Sequence, residues 1–345
     1  MSELERQLTP RQVLILLRVV REYISTGHPV GSKALVESGA VDASASTVRY
    51  ELAELEALGL LGHPHTSAGR VPTDAGYRLY AHQLLEQPLG AARLPIDLSQ
   101  VRNEVDAALR NTTEMMSQVT NLLAVVTAPP LETAEIRHVE VLRLQPRMVM
   151  VVVITSTGGV TKSMFPFEEA VDEKLIEWAT AYLNEQLGGV RLGARALRQR
   201  LFDPGLGARE LEFMGALEPA FTELVGGGEQ TLYVGGAARL VQELRHDELA
   251  EINDLMLALE ERAGLLQLLR GALETNRLYV RVGGEEAMPQ LRGLSLVAAN
   301  YGLPARNLGT VSLIGPRRMD YGVAIRSVRG AAHALSEFVA EVYEE

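Results

Sequence analysis

Helix starts and stops alternate through the first sixty residues, and their order constrains the fold more than any other feature of the chain. Thr9, Pro10 and Gln12 form a helix start, with Thr9 as the N-cap and Gln12 closing a capping box. Apolar residues then recur at helical spacing until Gly27 and Pro29 stop the run. The sequence therefore predicts an amphipathic helix between Pro10 and Gly27.

Two more helices are predicted at short intervals after the first. One runs from about Ser32 to Ser38 and stops at Gly39, and the next begins near Ser44 and stops at Gly59. The order helix, short helix, turn, helix is that of a helix-turn-helix unit.

The segment after the third helix is rich in Pro, Gly and Ser. Residues 62–72 cannot continue the helix, and we predict a two-stranded wing with its turn near Ser67 to Gly69. Thr73 or Asp74 then caps a fourth helix, which ends by Pro88. Residues 1–88 are therefore predicted to form a winged helix-turn-helix domain.

The third helix supplies the first candidate DNA contacts. A helix N-terminus that enters the major groove presents its first turns to base edges and phosphates. Those turns carry Ser44, Ser46, Thr47, Arg49 and Tyr50. We expect the arginine and tyrosine to contact bases, and the small hydroxyl residues to contact bases or phosphates. The alternative is helix capping plus an ordinary solvated face.

The wing supplies the second group of candidate contacts. Arg70 with His65, Thr66 and Ser67 would form a small polar tip that reaches a phosphate or the minor groove. Lys33, on the short helix, completes the candidate DNA-binding set.

The net charge of −11 is unfavourable for binding DNA, which attracts Lys and Arg. It is distributed unevenly, because residues 1–85 hold eight basic and nine acidic groups, a balance of −1, and the remainder carries −10. The first segment can face phosphates if its basic groups share one side.

Composition excludes several classes of site. The chain has no cysteine, which rules out disulfides, thiolate metal ligands and a cysteine nucleophile. His63 and His65 could begin a metal site, but without a third ligand in register a wing or phosphate role is favoured. The longest apolar run, Met148 to Ile154, is too short to cross a bilayer. We expect a cytoplasmic protein that is not an enzyme and has no cofactor, no metal and no membrane contact.

An apolar seam with spacings of four and three runs through residues 99–126 and predicts a helix that ends before Pro129. The seam could pair with its copy in a second subunit. The favoured alternative is packing on the sheet of its own domain. Its members are Val101, Val105, Ala108, Thr112, Met115, Val119, Leu122 and Val126.

The rest of the chain predicts strands, then helices, then strands. The first strands are expected at 136–144, 148–157 and 159–167, the helices between 169 and 272, and the later strands at 278–282, 294–300, 308–314 and 319–328. A last helix is expected over 331–343. This order is that of an α+β domain with an insertion, whose early and late strands we expect to share a sheet.

Several strings resemble the heat-inducible transcription repressors of the HrcA type. They are LTPRQ, TGHPVGSKAL, SASTVRYELAELEALGLL and PHTSAGRVPTDAGYRLY near the N-terminus, and VGGE and GPRRMDY near the C-terminus. The similarity is nearly unbroken over residues 8–80 and weak over 168–278. Tyr50 is a departure, because the family usually has a smaller polar residue there.

The resemblance implies a fold and a function. The fold is α+β: a winged helix-turn-helix at 1–88, a GAF-like domain at 97–187 and 273–345, and a helix-rich dimerising insertion at 188–272. The implied function is repression of chaperone operons by a homodimer on an inverted-repeat operator, the CIRCE element, with activity maintained by the GroE chaperonin.

Two alternative functions remain open from the sequence. One is a regulator that senses a small molecule through the GAF-like domain, and the other is an enzyme of unknown class. The cluster from Arg317 to Tyr321 could be a ligand or partner contact, although a salt bridge at the entry to a strand is the favoured interpretation.

Overall fold

The computed structural model describes residues 8–39, 41–64, 69–87, 105–129, 134–156, 159–191, 195–203, 205–226, 232–243, 256, 259, 269, 278–283, 293–304 and 306–344. Its N-terminal unit contains α1 (Pro10–Thr26), α2 (Ser32–Glu37), α3 (Ala45–Ala57), β1 (Leu61–Gly62), β2 (Val71–Pro72) and α4 (Asp74–Glu86).

The predicted start and end of α1 are confirmed. The Gln12 N–H donates to the Thr9 hydroxyl at 3.2 Å, and the Thr9 N–H donates to the Gln12 side chain at 2.9 Å. Gly27 takes a left-handed φ of 68°, which a residue without a Cβ adopts at low cost. The apolar stripe of α1 enters the core, with Leu16 and Val20 fully buried.

The described residues after α4 form two larger antiparallel sheets with their helices. The elements are α5 (Val105–Thr120), β3 (Leu123–Thr127), β4 (Ile136–Gln145), β5 (Met148–Thr155), β6 (Val160–Pro166), α6 (Glu173–Leu187), α7 (Arg195–Leu201), α8 (Ala208–Leu217), α9 (Pro219–Gly226), β7 (Leu232–Gly235), α10 (Ala237–Glu243), β8 (Leu278–Val282), β9 (Leu294–Leu303), β10 (Arg306–Pro316) and α11 (Tyr321–Glu344). This mixture of helices and antiparallel strands is the α+β class.

The central sheet has the strand order β7-β3-β10-β9-β8 in the described part of the chain. Helices α5 and α11 pack against it, and α4 of the N-terminal unit contacts β8 and α11. One continuous hydrophobic core therefore includes side chains of the N-terminal unit, such as Leu16 and Leu55, and of the central sheet, such as Val125 and Leu313.

The second sheet has the order β4-β5-β6 and lies on a core of its own with α6 to α9. Val139, Val151 and Val153 point into that core, which also contains Leu183 and Phe221. The predicted early strands are confirmed, but the expectation that they share a sheet with the late strands was wrong. Strand β5 is apolar on both faces, and this composition was compatible with burial in either sheet.

The predicted seam helix is only partly confirmed. Helix α5 ends at Thr120, Asn121 has a φ of 55°, and the chain continues as strand β3 in place of the predicted helical turns. The inner face of α5, including Ala108 and Met116, is buried in the core of the central sheet. Of the seam residues in α5, Val105, Ala108 and Thr112 are buried within their own domain, as the favoured alternative predicted, whereas Val119 is 49% exposed.

The strand predicted at 319–328 was wrong, because this segment is the first part of α11. Tyr321, Ala324, Ile325 and Val328 are buried, a spacing of three, one and three that places them on one helix face. Met319, Tyr321, Val323 and Ile325 are also larger apolar residues at a spacing of two, which favoured a strand. Most of 244–277, where further helices were predicted, lies outside the described residues.

Candidate nucleic-acid interface

Helix α3 turns one face to the core and the other to solvent. Val48, Leu52 and Leu55 are buried against the rest of the N-terminal unit. Arg49 and Tyr50 are exposed, the tyrosine by 64%. Among the described residues Arg49 makes no ion pair. A large aromatic ring and an exposed guanidinium therefore lie side by side on the second turn of a helix.

Hydroxyl groups cluster at the N-terminus of α3. The Ser44 hydroxyl accepts the Thr47 N–H at 3.1 Å and also lies 2.8 Å from the Ser46 hydroxyl and 2.9 Å from that of Thr47. Helix capping, the alternative interpretation of these residues, is thus present. It leaves the Ser46 side chain exposed beside Arg49.

Helix α2 precedes α3 and presents Lys33 to solvent. Its other face is anchored, because Ser32 and Leu35 are buried. Gly31 is the N-cap residue of α2. Lys33 and Arg49 therefore belong to neighbouring, packed helices, and both side chains are available to an external anion.

Strands β1 and β2 pair through Leu61 with Pro72 and Gly62 with Val71. The tip between them was expected to carry His65, Thr66 and Ser67. All three lie outside the described residues.

Arg70 lies at the root of this ladder. Its backbone exchanges hydrogen bonds with Val30 at 2.8 and 2.9 Å, and its guanidinium lies 2.7 Å from a carboxylate oxygen of Glu56. The Arg70 side chain is 22% exposed. The neighbouring backbone at Gly69 also lies close to the α1–α2 connection, because a Cβ on Gly69 would lie 2.5 Å from the carbonyl carbon of Val30.

Glu56 is a residue that sequence reasoning missed. Its other carboxylate oxygen contacts Nδ1 of His63, so that one side chain near the end of α3 holds both sides of the β1–β2 ladder. Its acidic side chain does not single it out in the sequence, because Glu51 and Glu54 are also acidic residues of α3. The contact joins residues seven and fourteen positions apart, a spacing that no local motif indicates.

The C-terminal cluster lies where α4 meets the central sheet. Arg317 lies 3.0 Å from Asp74, the first residue of α4, and the ring of Tyr321 is 6.2 Å from Tyr77 and 6.3 Å from Tyr80. The favoured interpretation was an ion pair at the entry to a strand. The ion pair is present, but the segment enters a helix and the partner belongs to the N-terminal unit.

Among the residues that the structure describes, no three His, Asp or Glu side chains are grouped to hold a metal ion. Within the same residues, no helix is long and apolar enough to cross a membrane.

Comparison with known proteins identifies the family. The profile described as "HrcA protein C terminal domain" matches residues 106–325. A protein of Nocardia farcinica named heat-inducible transcription repressor HrcA is 32% identical, over 99% of this chain and 100% of that protein. The protein of the same name from Mycobacterium sp. strain KMS is 34% identical, over 95% of this chain and 97% of that protein.

A solved structure shares the fold. It is a crystal structure of a hypothetical protein, with a TM-score of 0.66 and 23% identity, and the alignment covers 97% of this chain and 100% of that one. The chain belongs to the HrcA family of heat-inducible transcription repressors, which are DNA-binding regulators.

Proposed function

We propose that the chain represses chaperone operons by binding an inverted-repeat operator of the CIRCE type as a homodimer. The observation that most supports this proposal is the exposed pair Arg49 and Tyr50 on α3, whose opposite face is buried in the core. In a winged helix-turn-helix domain this helix enters the major groove, where a guanidinium recognises guanine through two hydrogen bonds. Family membership supports the same role.

The other contacts follow from the same docking. Ser46 and Thr47 would contact bases or phosphates, with Ser44 capping the helix, and Lys33 would bind a phosphate. His65, Thr66 and Ser67 stay predicted contacts of the wing.

Arg70 also stays a predicted phosphate contact. Its ion pair with Glu56 means that a phosphate would share or replace a carboxylate partner. This competition would lower the net gain from the contact, since the free protein already satisfies part of the guanidinium.

We propose that the homodimer forms through the outer face of the second sheet. Met164 is 67% exposed, Val160 53% and Leu144 49%, on a face that the helices α6 to α9 do not cover. Register places Met150 of β5 between Leu142 and Met164, which makes the apolar surface continuous. Exposed apolar patches of this kind mark interaction sites in soluble proteins. Two half-sites related by a two-fold axis require two copies of the chain.

This surface also suggests different domain boundaries. The sequence placed a GAF-like domain at 97–187 and 273–345 and the insertion at 188–272. We propose that the inserted dimerising unit begins near residue 134 and includes β4 to β6 and α6 to α9. The GAF-like unit would then be the central sheet with α5 and α11, and the winged helix the N-terminal unit.

Dependence on the GroE chaperonin is part of the proposal. The central sheet pairs Val125 of β3 with Ser312 of β10, so its assembly must wait until the intervening unit has been made. Such non-local pairing folds slowly and leaves apolar edges open in the meantime. A repressor that needs chaperonin to fold would lose activity when heat fills the chaperonin with other clients.

Footprinting on the DNA upstream of the chain's own gene tests operator binding. We expect a protected inverted repeat with the wild type and a much weaker footprint with Arg49→Ala. The matched control is Arg209→Ala, which removes an exposed arginine of α8. Absence of any sequence-specific protection by the wild type would overturn the proposal.

Refolding tests the chaperonin dependence. After mild heating, operator binding should recover faster or further with chaperonin and ATP than without them. Full unaided recovery, with no effect of chaperonin on yield or rate, would contradict this part.

A cavity supports the ligand-sensing function as a second candidate. It has a volume of about 540 Å³ and lies between the β9–β10 turn and α11, where Arg306, Asn307, Ser336 and Glu337 line it. A metabolite that binds there and shifts operator affinity, with both effects lost in Arg306→Ala, would favour this function.

A further inference from the structure

Within the described residues, helix α4 contacts the central unit near its start, in its middle and near its end. Asp74 at its start pairs with Arg317 at 3.0 Å, and Tyr77 and Tyr80 in its middle contact the ring of Tyr321. Near its end the Leu85 carbonyl accepts a hydrogen bond from Arg329 at 3.4 Å. We call this set the α4 junction. A helix held at its start, middle and end can neither swing nor rotate without breaking contacts.

The centre of the α4 junction is itself fixed from behind. The Tyr321 hydroxyl donates to the Arg317 carbonyl at 2.7 Å and lies 2.7 Å from the Ser295 hydroxyl of β9. Burial raises the pKa of the Tyr321 phenol, so the neutral form that donates this hydrogen bond is the form present at neutral pH. Tyr321 is thus a buried residue that contacts both the central sheet and α4.

The other side of α4 is joined to the end of α3. The Thr73 hydroxyl donates to the Gly59 carbonyl at 2.6 Å, and Gly76 lies against the Leu60 backbone with no space for a Cβ. Gly59 and Leu60 follow Leu58, the C-cap residue of α3. Ring contacts, a hydroxyl hydrogen bond and one close backbone approach therefore connect Tyr321, through α4, to the end of the helix proposed to enter the major groove.

We propose that the α4 junction sets the distance and angle between the two α3 helices of the dimer and so selects the spacing of the operator half-sites. The inference rests on the proposed function. Each added base pair separates two half-sites by about 3.4 Å and rotates them by about 35°. A rigid junction makes binding sensitive to both changes, whereas a loosened one lets each N-terminal unit reorient toward its own half-site.

The first test measures affinity against spacer length. The variant is Arg317→Ala combined with Tyr321→Phe, which removes the ion pair and the buried hydroxyl and keeps the aromatic ring. The control is Arg326→Ala, also on α11, which forms no ion pair or hydrogen bond with α4 within the described residues. Wild type and control should lose on the order of tenfold or more in affinity when two base pairs are inserted, because both half-sites no longer fit at once. The variant should lose less than about threefold.

A second measurement reports on the junction without DNA. The chain has no native cysteine, so Glu54→Cys on the exposed side of α3 places a single spin label on each protomer. The distance distribution across the dimer should be narrow in the wild-type background and clearly broader in the double variant. If the double variant does not fold, Arg317→Ala alone, whose side chain is 40% exposed, replaces it in both experiments.

The outcomes separate the inference from the function on which it rests. Wild-type protein that binds no inverted repeat would overturn the proposed function, and the inference with it. Wild-type protein that prefers one spacing, with a variant that keeps the same preference and the same narrow distance distribution, would overturn the inference alone. A merely structural role would lower the affinity of the variant at every spacing by the same factor.

Discussion

Replacing Gly76 by alanine should destabilise the N-terminal unit although it improves the helix propensity of α4. The new Cβ would overlap the carbonyl oxygen of Leu60 and lie 3.3 Å from its carbon. Because these are backbone atoms, no side-chain rotation relieves the overlap, and α4 must move away from the end of α3. Overpacking of this kind costs about 1–3 kcal/mol, against a propensity gain of at most about 1 kcal/mol. We expect a net loss of about 1–2 kcal/mol.

The matched control is Gly215→Ala in α8. A Cβ there meets nothing within 4 Å, so only the helix propensity changes and stability should rise by about 0.5–1 kcal/mol. Urea unfolding followed by circular dichroism gives both values. Operator affinity should fall for Gly76→Ala, because the displaced contact supports α3, and should stay unchanged for the control. A Gly76→Ala protein as stable as the wild type, or variants that shift in the same direction, would refute the close-contact argument.

Four further outcomes are expected. Arg49→Ala should cost about 1–3 kcal/mol per half-site and relax preference at one base pair, measured by anisotropy on operator variants, whereas an equal loss on random DNA would reassign it to phosphate. Arg70→Ala should weaken binding to all sequences and reduce the salt slope by about one; an unchanged slope would mean that it only secures the wing through Glu56. Met164→Glu should yield monomers in sedimentation, and a persistent dimer would exclude the second sheet as the interface. Burial raises the pKa of Tyr321 in the folded state, so above about pH 10 the phenol ionises more readily in the unfolded state and the free energy of unfolding falls as pH rises. In urea unfolding, the stability advantage of wild type over Tyr321→Phe should therefore shrink above about pH 10. An advantage that stays constant with pH would contradict this.

Local features of the sequence determined the N-terminal helices. The capping hydroxyls of Thr9, Ser44 and Thr73 each accept a backbone N–H within three residues, and Gly27 ends α1 in a left-handed conformation. These interactions join residues only a few positions apart, so the local sequence is enough to predict them. The exposed position of Arg49 follows from the same helical period. The predictions of α1, α3 and α4 were correct for this reason.

The grouping of the strands was decided by tertiary structure alone. Strand β5 is apolar on both faces, and nothing in its composition says which sheet it joins. The segment from 319 to 328 fits both the strand period and the helix period, and its place against β9 selects the helix. Pairings such as Val125 with Ser312 depend on the loops between them and on all other contacts at once.

One part of the candidate interface could be predicted from the sequence, and another part could not. The sequence determined by itself which residues lie on the first turns of α3, because that depends on one helix start and one period. Only the tertiary structure revealed that Glu56 holds Arg70 and that Tyr321 is pinned against α4. An ion pair or a ring contact between distant segments leaves no local pattern, since its partners are chosen by the packing of whole elements. The contacts that we propose to orient α3 therefore depend on the tertiary structure and could not be predicted from the sequence.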